Sequence, residues 1–176
     1  MQGTWPRRGM HAFALLLAWT LALSWSPAFA TSLVGTVVGV SDGDTVTVLD
    51  EQHVRHVIRL AGIDAPEKGM PFGQRSKQHL SDLVFGRHVE IDGDKLDRYR
   101  RRVGIVRVNG QDANLAQVHA GLAWHYREYE REQTPQDRQT YREAEVQARQ
   151  AERGLWVDAQ PQAPWDWRRQ RKQERR

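Results

Sequence analysis

The stretch Ile58-Arg59-Leu60-Ala61-Gly62-Ile63-Asp64-Ala65-Pro66-Glu67 reads as the end of a buried strand running into a tight polar turn. It sets an arginine and two carboxylates close together, with a proline that restricts them. An arginine near acids is by itself an ordinary surface pair. Asp64 with Glu67 three residues on also fits a helix capping box. The rest of the chain decides between these readings.

Upstream, Leu33 to Val40 and Thr45 to Leu49 are β-branched runs parted by Ser41-Asp42-Gly43-Asp44, and an Asp-Gly pair in that setting signals a hairpin. Val54 to Ile63 follows as a third strand after a turn at Asp50-Glu51-Gln52, so the chain opens as a meander with its acidic motifs at strand ends. Downstream, Leu80, Leu83 and Val84 fit one face of a helix from about Gln74 to Phe85, stopped at Gly86. Arg87 to Ile91 and Arg101 to Val108 read as the fourth and fifth strands, with turns at Asp92-Gly93-Asp94 and Asn109-Gly110. A short helix over Asp112 to Ala120 is capped by Gly121, and Leu122 to Tyr129 is an aromatic connector. Thr134 as N-cap and Pro135 at N1 open a last helix that runs to about Arg153 and ends at Gly154. Five short strands, a helix after the third and helices at the end predict an α+β fold. The expected architecture is a five-stranded OB-fold β-barrel with about three α-helices.

The two ends are expected to lie outside that barrel. Arg7 and Arg8 precede the apolar run Ala12 to Leu23, and Ser26-Pro27-Ala28-Phe29-Ala30 offers an Ala-x-Ala cleavage site. Residues 1–30 therefore read as a signal peptide, and the product as exported, periplasmic or secreted, without integral membrane association after cleavage. Residues 31–157 form the folded domain. Residues 158–176, rich in Gln, Pro, Trp and Arg, have no periodicity and are expected to be a basic, disordered tail.

The chain holds 26 basic and 22 acidic residues, a net charge of +4. Arg168 to Arg176 contributes six basic residues and one acid, while Thr31 to Trp167 is net −3. Affinity of the body for an anionic polymer must then come from local clusters, not from a global positive field. There is no cysteine, which excludes disulfides and thiolate metal sites. His53 and His56 do not make a zinc site, and the remaining histidines show no ligand spacing.

Four polar pieces remain: Asp42-Gly43-Asp44-Thr45, Arg59, Asp64-Ala65-Pro66-Glu67, and Asp97-Arg98-Tyr99-Arg100-Arg101-Arg102. The first is no EF-hand loop, because its glycine is misplaced and Val46 takes a ligand position. Together the pieces supply what a hard divalent cation, an activated water and a clamped phosphate need: oxygen ligands, a carboxylate base and forked guanidinium donors.

Asp-Gly-Asp-Thr, then Arg-Leu-x-x-Ile-Asp-x-Pro-Glu, then Asp-Arg-Tyr-x-Arg, in this order, closely resemble the staphylococcal nuclease (thermonuclease) family over about Val34 to Trp156. The likeness extends to Phe72-Gly73, Asn114, Gly121-Leu122-Ala123 and Gly154-Leu155-Trp156. It implies a calcium-dependent phosphodiesterase and endonuclease acting on DNA or RNA and leaving 3′-phosphates, expected as a monomer with no stable protein partner. Asp44, Asp64 and the Ala65 backbone carbonyl match the calcium ligands, and Asp42 matches an outer-shell acid. Glu67 matches the residue that positions or deprotonates the attacking water. Arg59 and Arg101 match the phosphate-binding arginines, and Tyr99, Tyr126 and Tyr129 match aromatics of the nucleotide pocket. Arg100 stands where the family commonly has glycine, so backbone strain is expected there. The loop from Glu67 to Phe72 is short, leaving Lys68 the nearest counterpart of flanking lysines, and Arg127 replaces an expected tyrosine. The alternative reading is a non-catalytic OB-fold module that binds single-stranded nucleic acid, but no ligand or arginine position has been lost.

Overall fold

The computed structural model of the chain describes Gly3 and residues 32–176. The expected signal peptide, Gly3 apart, lies outside the described residues. Strands β1 (Leu33–Val40), β2 (Thr45–Leu49) and β3 (Arg55–Leu60) form the antiparallel meander expected from the Asp-Gly turn. The third strand is shorter than its sequence suggests. The chain turns at Ala61-Gly62, where Gly62 takes φ 73°, and resumes as β4 (Ile63–Asp64). A left-handed glycine cannot continue a strand, so the one expected run becomes two.

Helix α1 (Gly73–Val84) crosses to β5 (His88–Asp92), which pairs with β1 on one side and with β6 (Arg102–Val108) on the other. β6 then pairs in parallel with β3, at Ile58↔Arg102, Arg59↔Val103 and Leu60↔Gly104. That pairing closes the ring β3-β2-β1-β5-β6 into the expected five-stranded α+β barrel, and β7 (Gln111–Asp112) is appended to β6. Closure leaves β3 with a neighbour on each side, so Arg59 is not on an edge strand.

Inward-facing positions supply the core: Val37, Val46, Val48, Ile58, Leu60 and Val106 are at most 1% exposed. Each such aliphatic side chain contributes about 1.5–3 kcal/mol by leaving water. Helix α2 (Ala113–His119) begins at Asp112, whose side chain accepts from Leu115 N at 2.9 Å and from the Tyr141 hydroxyl at 2.8 Å. Tyr141 belongs to α3 (Pro135–Gln150), so one carboxylate caps one helix and fastens another. Buried Asn114 donates to Ala61 O and Gly104 O and accepts from Val106 N, tying α2 to the turn and to β6. Between these helices lies β8 (Trp124–His125), which pairs with β4.

The C-terminal segment differs from expectation. Pro164–Glu174 is helical, α4, with Pro164 at its start, instead of a disordered tail. A helix this polar is marginal alone, and tertiary contacts hold it, an aromatic anchor among them. Trp165 stacks on Tyr126 with centroids 5.4 Å apart and planes 7° apart, and meets Trp124 edge-on. Among the described residues no helix is long and apolar enough to cross a membrane.

Candidate active site

Asp44 lies at the start of β2, in a turn that α1 and α2 press from behind. Ser76 of α1 approaches Gly43 so closely that a Cβ there would stand 1.8 Å from its Oγ. Gln117 of α2 donates to Gly43 O at 2.7 Å. Only glycine permits this contact, which fixes the backbone next to Asp44. Asp64 is held by the β4–β8 ribbon, opposite Trp124. Asp64 through Glu67 caps no helix, because α1 starts only at Gly73.

The two carboxylates meet through Arg59. Its guanidinium lies 3.0 Å from Asp44 Oδ2 and donates to Asp64 Oδ1 at 2.9 Å. Ala65 N also donates to Asp44 Oδ2, at 2.8 Å, so the second acidic turn is laced to the first. Asp42 Oδ1 accepts from Asp44 N at 3.1 Å. Burial and the neighbouring Asp44 carboxylate push the Asp42 carboxyl up to about 6. Burial likewise pushes Asp64 up to about 6, against the hydrogen bond from Arg168 and the charge of Arg59. Charge on these acids is costly unless a cation stands beside them.

Across the cleft, Asp97 organises its own turn. Its Oδ1 accepts from Tyr99 N and Arg101 N, and its Oδ2 accepts from Arg101 Nε at 2.7 Å. These bonds outweigh its partial burial and hold its carboxyl below the ordinary value. Arg101 also lies against the Tyr99 ring, 5.3 Å from its centroid. Arg102 instead donates to Gly93 O and does not line the cleft. Of the consecutive Arg100, Arg101 and Arg102, it is Arg101 that lines the cleft. Arg100 has φ 62°, the left-handed region in which a side chain costs about 1–2 kcal/mol. Arg100→Gly is expected to raise stability by about 1 kcal/mol, seen as a melting temperature about 4 °C higher. A fall in melting temperature would show that the arginine side chain outweighs the strain.

A cavity of about 620 Å³ unites these parts, lined by Asp42, Asp44, Arg59, Asp64, Ala65, Glu67, Tyr99, Arg101, Tyr126 and Tyr129. Every residue matched to an ion-binding, catalytic or nucleotide-pocket role therefore borders one space, while Lys68 does not line it. Tyr126 and Tyr129 meet edge to face at 5.0 Å, and burial followed by the hydrogen bond to Glu128 pushes the Tyr126 hydroxyl up to about 12.

One member was not foreseen. Arg168 of α4 donates to Asp64 Oδ2 at 2.7 Å and Oδ1 at 3.2 Å, and to Glu67 Oε1 at 2.7 Å. Burial works against its charge, but the bonds to Asp64 and Glu67 outweigh it and keep the guanidinium protonated. The run of tryptophan and arginine around it was the available signal in the sequence. Its partner acids lie a hundred residues away, beyond any local pattern.

The donor set suits a hard cation. Among the described residues no group of three or more His, Cys, Asp or Glu side chains gathers to hold an ion. The protein offers two buried carboxylates, with the remaining ligands left to backbone oxygen and water, as calcium or magnesium accepts. Guanidinium groups already stand against those oxygens, which marks the place as one that draws positive charge.

Comparisons of the sequence with known proteins point to one family. Residues 57–158 fit the family model described as staphylococcal nuclease homologue. The chain is 44% identical over 155 residues to protein ParB of Escherichia coli, covering 82% of this chain and 84% of that protein. It is 43% identical over 153 residues to micrococcal nuclease of Shigella flexneri, covering 81% and 84%. An uncharacterized endonuclease of Haemophilus influenzae is 42% identical over 136 residues, covering 77% and 73%.

Proposed function

The chain belongs to the staphylococcal nuclease homologue family, and on that premise we propose that it is a calcium-dependent nuclease that hydrolyses phosphodiesters in DNA or RNA and leaves 3′-phosphates. The observation that carries this reading is the gathering of Asp44, Asp64, Arg59, Glu67 and Arg101 around one cavity.

Asp44, Asp64 and the Ala65 carbonyl are the groups that would hold calcium, with Asp42 behind them. Bound there, the ion supplies a fixed positive charge that polarises a phosphoryl oxygen. Glu67 is the base: its carboxylate orients a water and takes its proton as the oxygen attacks phosphorus in line with the leaving 5′-oxygen. Arg59 and Arg101 take the non-bridging oxygens, where charge grows in the transition state. Both are already aimed by carboxylates, Arg59 by Asp44 and Asp64 and Arg101 by Asp97, so little ordering remains to be done on binding. Tyr99, Tyr126 and Tyr129 form walls on which a base or sugar can rest. The leader-like residues 1–30 support export to a periplasm or the medium.

The test is incubation of the purified protein with single-stranded DNA and RNA in calcium and then in chelator, with product ends typed by enzymatic labelling. Cleavage confined to calcium, with 3′-phosphate ends, is expected. No cleavage in calcium would leave a binding module, and undiminished cleavage in chelator would remove the ion from the mechanism.

A further inference from the structure

Beside the candidate active site runs a second groove, of about 780 Å³, between the Glu67-Lys68-Gly69 turn and α4. Its walls carry Lys68, Arg168, Arg171, Lys172, Arg175 and Arg176 against a single acid, Glu67. On the helix, Arg168, Arg171, Lys172 and Arg175 stand three, four and seven positions apart, which puts them on one face. From Arg168 to Arg175 that stripe covers about 10 Å of helix. The groove is continuous with the first cavity, because Glu67 and Arg168 line both.

We propose that α4 is a strand-binding arm of the active site. Its basic face holds the backbone phosphates of a nucleic-acid strand to one side of the phosphodiester being cut, without regard to sequence. The inference rests on the nuclease reading and names where the flanking substrate lies. Trp165 roots the arm on Tyr126 and Trp124. From that root the remaining basic side chains line a path leading away from the reacting position. Trp167 borders the same groove, with the Arg171 guanidinium 5.6 Å from its ring centroid, so the path offers an aromatic face as well as charge.

A nucleic-acid strand fits this surface better than an anionic membrane. A membrane-surface helix needs an apolar face to bury. Of the apolar side chains of α4, Trp165 is already stacked on Tyr126, and beyond Trp167 the helix is polar all round. The charge is also concentrated here. Arg168 to Arg176 is net +5 on a chain whose body from Thr31 to Trp167 is net −3, so the local field points along this groove.

The full chain and its R171Q/K172Q/R175Q variant are compared in two assays. In chelator, affinity for a labelled single-stranded 20-mer is followed by fluorescence anisotropy against salt. Removing three phosphate contacts is expected to flatten the slope of log K against log salt by about 2, whereas an R171K/R175K variant keeps the slope. In calcium, the ratio of kcat/KM on the 20-mer to that on a dinucleotide is expected to fall about tenfold. An unchanged slope, or an unchanged ratio, overturns the arm. So does a triple variant that loses binding to phosphatidylserine vesicles while its 20-mer affinity stays at the wild-type level. The anisotropy assay needs no cleavage, so failure of the arm is distinguishable from failure of the nuclease reading, which would appear as wild-type protein cutting neither substrate.

Discussion

Arg59→Lys is expected to lower turnover about a thousandfold while leaving a folded protein. Arg59 is only 14% exposed in its side chain, and it spans two acids, meeting Asp44 at 3.0 Å and Asp64 at 2.9 Å, besides donating to Leu60 O at 3.2 Å. A planar fork can do this and still face a phosphate. A lysine ammonium is one point charge on a shorter reach, so it satisfies one acid and abandons the rest. Arg59→Ala should go further and cost about 3 kcal/mol of stability, because two buried carboxylates lose a shared counter-charge. Steady-state kinetics and thermal unfolding on both variants separate the two effects. Near-normal turnover in the lysine variant would remove Arg59 from the phosphate clamp.

Glu67→Gln is expected to act on chemistry alone. Its carboxylate is 37% exposed, and its partner Arg168 keeps Asp64 when Glu67 is neutralised, so stability should move by no more than about 0.5 kcal/mol. As a base it can be worth about 10²–10⁴ in kcat. The measurement is kcat on a single-stranded oligonucleotide, paired with the affinity for that strand in chelator. A large fall in kcat with affinity kept supports the role. A fall of less than tenfold would mean that another group, or bulk water, accepts the proton.

Much of the fold could be read locally, for reasons that particular residues make plain. The Asp42-Gly43-Asp44 hairpin, the Thr134 cap and strands β5 and β6 are short-range signals, and each appears within a residue of where it is expected. The polar motifs were equally legible, because the likeness in Arg59, Asp64, Glu67 and Asp97-Arg98-Tyr99-Arg100-Arg101 is a matter of order along the chain. What could not be read is tertiary. β4 and β8 are two residues each, too short to show a period, and exist because Ile63 and Asp64 find His125 and Trp124. Nothing in the sequence sets Ser76 and Gln117 apart, yet both are fully buried and brace Gly43. α4 had no apolar stripe to announce it. It is held by Trp165 stacking on Tyr126 and by Arg168 reaching acids from the far end of the sequence.

The parallel pairing of β3 with β6 has a consequence for when the protein becomes active. Arg59 and the two acids it bridges sit on the opening meander and the turn after it, which can assemble from near neighbours. Arg101 joins them only when the strand it leads, β6, docks beside β3, with Arg59 registered against Val103. Pairings between such distant stretches form slowly, since the chain must lose loop entropy before any contact repays it. The second arginine of the proposed clamp therefore arrives only when the barrel closes. On the proposed reading, a partly folded chain has its acids and Arg59 but lacks Arg101, and stays inert until the barrel is shut.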